Sequence, residues 1–209
     1  FTAADDVCLV IKDAGGSLYK GQTSAQLVQQ WQSQPNSPEI IYLDQSLTDA
    51  ELGVLYRACD VFVSPYRGEG FSLPTLESLA CGLPVIVTGG GATDDFCDEE
   101  ISWRIASETR VIGSTLYGLE LPDDATVLEP SGEHLTALMQ QAAREPETVF
   151  EKGLRGALKI GTNWTWTHTT HQVLTRLDAL CGTSLAQMPL QYPALDEDTV
   201  RRSLSEKRL

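Results

Sequence analysis

Over the first two thirds of the chain, short apolar runs alternate with polar stretches that carry apolar residues at helical spacing. Residues 7–11 (VCLVI), 40–43 (IIYL), 61–64 (VFVS) and 85–87 (VIV) are nearly unbroken apolar runs, the pattern of strands covered on both faces. Helix signals lie between them. Thr23-Ser24-Ala25-Gln26 and Thr48-Asp49-Ala50-Glu51 both read as capping boxes, in which the first and fourth side chains satisfy each other's backbone N–H groups. Leu27, Val28 and Trp31 form an apolar stripe after the first box, and Leu52, Leu55, Tyr56 and Cys59 form one after the second. Pro74, which has no N–H to leave unpaired in a first turn, opens a third helix through Leu76, Leu79 and Ala80, with Gly82 as its stop.

This alternation predicts an α/β fold, a Rossmann-like parallel sheet with helices on both faces and right-handed crossovers. Residues 92–128 fit neither period cleanly. From Glu133 the spacing turns helical: Leu135, Leu138, Met139 and Ala142, then Val149, Phe150, Leu154 and Leu158, then Val173, Leu174, Leu177 and Leu180, with a stop at Cys181-Gly182. Residues 1–182 are expected to form one domain. Residues 183–209, with Pro189, Pro193 and a charged stretch from Asp196, are expected to be a tail, either one more helix or a linker.

Composition narrows the classes. The chain has 209 residues, 42% of them hydrophobic and 21% charged, which suits an ordinary globular core. A chain of this size buries roughly 70% of its unfolded surface. Against 15 basic residues stand 29 acidic ones, a formal charge of −14, so nucleic acid and anionic membranes are poor partners. No apolar run is long enough to cross a bilayer, and no secretory leader is visible. Cys8, Cys59, Cys81, Cys97 and Cys181 are scattered and read as small hydrophobes in a reducing compartment, so the expected location is cytoplasmic. His168 and His171 sit one helical turn apart without an evident third ligand, and Asp94, Asp95, Asp98, Glu99 and Glu100 read as a solvated acidic loop; neither predicts a metal site.

In an open parallel sheet, ligands bind beyond the carboxyl ends of the strands, here the loops beginning at Lys12, Asp44, Pro65 and Thr88. The richest is residues 65–74 (PYRGEGFSLP), which runs straight into a helix. Gly68 and Gly70 permit close backbone approach, and the helix start offers N–H groups and a positive dipole end, a setting for a phosphate. Glu69 approaches from the loop. Glu77 lies one turn inside the helix and leans back toward the same edge. A carboxylate accepts hydrogen bonds, and sugar hydroxyls donate them. Taken singly, Glu77 is a dipole complement, Glu69 a solvated loop residue and Gly89–Gly91 a flexible connection; their convergence on one edge is what suggests a site.

The string Glu69–Glu77 (EGFSLPTLE) followed by residues 78–86 (SLACGLPVI) resembles the E-x7-E motif of retaining GT-B glycosyltransferases, which usually reads EGFG-x-P-x-x-E-A-M-A-x-G-x-P-V-I. Residues 49–64 resemble the helix and strand before that motif, and Asn163–Trp166 (NWTW) resembles the segment opening a late helix. The resemblance spans about residues 1–180. It implies the donor-binding half of a two-domain enzyme that moves a sugar from a nucleotide-diphosphate sugar to an acceptor with retention, without metal or other cofactor. By carry-over, Glu69 contacts the donor sugar near the reacting carbon as the catalytic residue. Gly70, Phe71, Ser72 and Leu73 offer backbone N–H groups, and Glu77 holds the ribose hydroxyls. Gln45, Ser46 and Leu47 lie where the base is contacted. It also implies that the family's first strand, its basic pair and the acceptor domain lie before Phe1, that the fragment alone is inactive, and that the sheet has an exposed flank open to self-association. Two other functions stay open: a non-catalytic nucleotide-sugar binding or docking module, and a sugar-nucleotide epimerase-like domain on the same sheet.

Overall fold

A computed structural model describes residues 1–14, 18–19, 21–116, 119–187 and 195–206. The chain divides into two compact units, Phe1–Leu55 and Tyr56–Leu209.

In the first unit, strand β1 (Cys8–Lys12) pairs in parallel with β4 (Glu39–Leu43), from Cys8 opposite Glu39 to Lys12 opposite Leu43. Between them come the short antiparallel pair β2 (Leu18–Tyr19) and β3 (Gln22–Thr23) and helix α1 (Ser24–Gln32). The expected capping box starts α1: Thr23 Oγ1 accepts from Gln26 N at 3.2 Å, and Gln26 Oε1 accepts from Thr23 N at 2.9 Å. The stripe behind it is shallower than its pattern suggests, with Val28 buried but Trp31 51% exposed. Helix α2 (Asp49–Ala58) begins on the second box, where Thr48 N donates to Glu51 at 2.7 Å, and it runs into the second unit.

The second unit holds a parallel three-stranded sheet of β5 (Phe62–Ser64), β6 (Val85–Thr88) and β7 (Ser102–Ile105), with β6 central. All four residues of β6 are buried, which is why its sequence shows no polar alternation. Val85 and Val87 join one core cluster with Leu79, Phe96, Cys97, Ile101 and Ile160, while Ile86 joins another with Trp103, Ile105, Leu138, Ala142 and Val149. The strand is therefore packed on both faces. Helix α3 (Leu73–Ala80) connects β5 to β6 and ends on Gly82 in the left-handed conformation, as expected. Pro74 falls at its second rather than its first residue, a shift of one position that the helical start tolerates equally.

Beyond β6 the connection is a 3-10 turn (Ala92–Asp95) leading into β7 rather than a helix. The unreadable stretch that follows is an antiparallel hairpin, β8 (Ser107–Leu116) and β9 (Leu119–Pro130), paired from Ser107 opposite Pro130 with two register shifts on the way. Helices α4 (Gly132–Arg144), α5 (Pro146–Asn163) and α6 (Trp166–Cys181) match the three late stripes, α6 stopping on Gly182. In the C-terminal stretch, α7 (Glu197–Ser205) lies on α5 through Arg201, which pairs with Glu151 at 2.8 Å and crosses the Phe150 ring. Pro189 and Pro193 lie outside the described residues. Among the described residues, no helix is long and apolar enough to cross a membrane. The fold is α/β, with parallel sheets and helices.

Candidate functional site

The loop from β5 to α3 is held from below by its own aromatic side chains. Phe71 packs against Phe96 (ring centroids 5.3 Å apart) and Trp164 (6.0 Å), and those two meet at 5.7 Å. Trp164 is thus a core residue, whereas Trp166 is 83% exposed. Tyr66 ties this loop to the one after β6. Its hydroxyl lies 3.1 Å from Thr88 O and 2.8 Å from Thr93 Oγ1, and Thr88 Oγ1 donates back to Tyr66 O at 2.7 Å. Sequence alone gave no reason to choose Tyr66, although an aromatic between a strand end and two glycines marks a place where a loop needs an anchor.

Gly89–Gly91 are pinned rather than loosely connecting. Gly89 N donates to Ile105 O at 3.0 Å, Ser107 Oγ donates to Gly89 O at 2.6 Å, and Gly90 N donates to Asp94 Oδ2 at 3.1 Å. A Cβ on Gly91 would stand 2.6 Å from Tyr66 Oη, so glycine here makes room for the tyrosine.

Ser72 precedes α3 with φ of 71°, a left-handed backbone that non-glycine residues seldom adopt. It is 4% exposed, and its Oγ lies 2.7 Å from Thr75 Oγ1. Its carbonyl accepts from the amides of Thr75 (3.1 Å) and Leu76 (3.2 Å). Gly70 N donates to Glu69 Oε1 at 3.1 Å. Among the described residues, the amides of Phe71, Ser72 and Leu73 have no protein acceptor. The turn therefore presents three backbone donors at the positive end of α3.

The two carboxylates are placed differently. Glu69 is exposed and folded onto its neighbour's amide. Glu77 is exposed on α3, and its Oε2 accepts from Tyr56 Oη at 3.4 Å. Tyr56 comes from the last turn of α2 and stands edge-on to Phe62 with ring centroids 6.0 Å apart. Burial of the ring first, and then the charge and hydrogen bond of Glu77, push its hydroxyl well above the usual phenol range, so it remains a donor at neutral pH.

Other residues singled out by sequence have local roles. Arg67 pairs with Glu129 of β9 at 2.8 Å, and Arg67 O accepts from Leu128 N at 2.8 Å, so the hairpin base braces the loop. Asp94 pairs with Arg104, and Asp98 pairs with Lys159 at 2.6 Å. His168 Nδ1 lies 2.7 Å from the capping Thr165 Oγ1. Burial pushes the Cys97 thiol up to about 12, leaving it protonated and unreactive at neutral pH. Among the described residues, no group of three or more metal-ligating side chains converges. Gln45, Ser46 and Leu47 occupy the loop after β4 in the first unit, Gln45 and Ser46 exposed and Leu47 half-buried.

Comparison with known proteins finds similarities in the same region. A family model described as "Glycosyl transferases group 1" matches residues 9–110, which include the whole β5–α3 loop and both glutamates. Over 56 residues the chain is 57% identical to the lipopolysaccharide core biosynthesis mannosyltransferase LpsB of Rhizobium meliloti, covering 25% of this chain and 16% of that protein. Over 126 residues it is 37% identical to the MMP alpha-(1->4)-mannosyltransferase of Mycolicibacterium hassiacum, covering 56% of this chain and 30% of that one. These alignments span at most 30% of the two curated relatives' length. Sucrose-phosphate synthase from Thermosynechococcus elongatus shares the fold, with a TM-score of 0.59 over 85% of this chain and 39% of that chain at 19% identity. Residues 9–110 are thus similar to a group 1 glycosyltransferase domain, on an α/β fold similar to that of a GT-B glycosyltransferase.

Proposed function

We propose that this chain is the donor-binding part of a retaining glycosyltransferase that takes a nucleotide-diphosphate sugar and passes the sugar to an acceptor. The observation that carries this reading is the turn before α3, where the Phe71, Ser72 and Leu73 amides lack acceptors among the described residues and a glutamate stands on either side in sequence. A diphosphate is the ligand for which such a turn is suited: its oxygens accept from several N–H groups, and the helix dipole favours its charge.

Breaking the bond from sugar to phosphate loads negative charge onto the departing diphosphate and gives the sugar oxocarbenium character. Donors fixed in advance at the phosphate stabilise that charge more in the transition state than before it. Glu69, now on the Gly70 amide, turns away when phosphate takes that donor, and its carboxylate is then free to face the sugar near the reacting carbon. Glu77 holds the ribose hydroxyls.

The test is calorimetric titration of the folded chain with UDP-, GDP- and ADP-sugars. GDP-mannose comes first because two of the relatives carry mannosyltransferase names. One of them binds saturably, and Glu77→Ala weakens that binding at least about tenfold, the loss expected when both hydrogen bonds from a diol disappear. Retention is read from the anomeric configuration of the product by NMR in the protein that includes an acceptor domain. Absence of saturable binding by every donor, in a sample shown to be folded, refutes the donor-site reading.

A further inference from the structure

We propose that Tyr56 is a positioning residue for the ribose subsite, orienting the Glu77 carboxylate. This inference rests on the donor-site reading above and adds to it a residue outside the loop and outside α3.

The geometry separates the two oxygens of Glu77. Tyr56 Oη donates to Oε2 at 3.4 Å, the side-chain hydrogen bond of the Glu77 carboxylate among the described residues, while its backbone carbonyl accepts from Cys81 N within the helix end. The carboxylate is otherwise exposed on α3, so without Tyr56 it has several rotamers of similar energy in water. The tyrosine is itself held: its ring is half-buried and packs edge-on against Phe62 at the start of β5. A fixed ring carrying one O–H thus selects one carboxylate rotamer and leaves Oε1 for a ligand. A vicinal diol offers two O–H donors on adjacent carbons, and a carboxylate with one oxygen already aimed accepts them at lower entropic cost. The phenol stays protonated at neutral pH, so it does not repel the carboxylate that it orients.

The substitution Tyr56→Phe keeps the ring and its contact with Phe62 and removes only the O–H. Binding of UDP, GDP and ADP to the 209-residue chain is compared with binding of the matching 2′,3′-dideoxy diphosphates, for wild type and Y56F. In wild type the ribonucleotide of the preferred base binds more tightly than its dideoxy form. In Y56F the ribonucleotide weakens by about two- to tenfold, one hydrogen bond's worth, while the dideoxy form is unchanged. A merely structural role for Tyr56 would weaken both forms alike, and that result overturns the inference. So does an unchanged ribose preference in Y56F, which leaves the donor-site reading standing. Wild-type binding without ribose preference overturns the role of Glu77 and that of Tyr56 with it. No nucleotide binding at all overturns the donor-site reading and this inference together.

Discussion

Ser72 shows how one residue reports the demands of a site. Its φ of 71° swings the chain from the loop into α3, where the amides of Phe71, Ser72 and Leu73 find no acceptor among the described residues. Glycine adopts that backbone freely, and glycine is the residue of the motif this loop resembles; a Cβ there costs roughly 1–2 kcal/mol. Serine offsets part of that through its 2.7 Å hydrogen bond to Thr75 Oγ1, both side chains being buried. Ser72→Gly removes the strain and the hydrogen bond together, and its stability is expected within about 1 kcal/mol of wild type. Ser72→Ala keeps the strain and loses the partner of a buried hydroxyl, and is expected to be about 1–2 kcal/mol less stable than the glycine variant. Urea denaturation of the two variants checks this. If alanine proves the more stable, the left-handed turn is not the conformation that the chain adopts.

At the level of elements, glycines set how closely α3 and α5 approach. A Cβ on Gly153 would run into the Gly82 carbonyl oxygen, and one on Gly156 would lie 2.8 Å from Leu79 Cδ2. Gly53 in α2 has open space around its would-be Cβ. Gly53→Ala therefore gains helix propensity, up to ~1 kcal/mol, with nothing to oppose it. Gly153→Ala gains the same propensity but pushes a methyl into backbone, which outweighs it and leaves a net loss of about 2 kcal/mol. Thermal unfolding of the pair should move in opposite directions.

The same elements show what sequence could and could not carry. The two capping boxes, the buried run of β6 and the stop at Gly82 were legible because each is a local signal whose partners lie within a few residues. The hairpin was not. Its strands include Gly113, Pro122, Asp123 and Asp124, residues that strands disfavour, and they are tolerated because a two-stranded ribbon has only edges. β7 was lost for want of length and of a helical crossover before it. In the site, the loop and its glutamates were visible as an ordered string. Tyr56 was visible only as one position of an apolar stripe, since its hydroxyl meets Glu77 across 21 residues of chain. Gly91 read as slack because the tyrosine that requires it lies on another loop.

For the molecule as a whole, burial is unevenly shared between the units, and this has a dynamic consequence. β6 lies between two strands with Val85, Ile86, Val87 and Thr88 all at 0% exposure. Among the described residues, Val28 is the fully buried hydrophobic of the first unit, and β1 and β4 have only each other as sheet neighbours. Leu9 and Ile41 in that pair are 40% and 41% exposed. Opening such a pair uncovers little apolar surface that was not already wet, so its local unfolding free energy lies far below that of β6. Hydrogen exchange followed by mass spectrometry should find the β1 and β4 amides exchanging at least about a hundredfold faster than those of β6, a gap of about 2.7 kcal/mol. The turn before α3 hangs from the protected unit, anchored by Phe71 and Tyr66, which is what a binding turn needs if its donors are to be fixed before the ligand arrives. Equal exchange in the two strand sets would mean that they open in one cooperative step, and the rigidity ascribed to that turn would then belong to the chain as a whole.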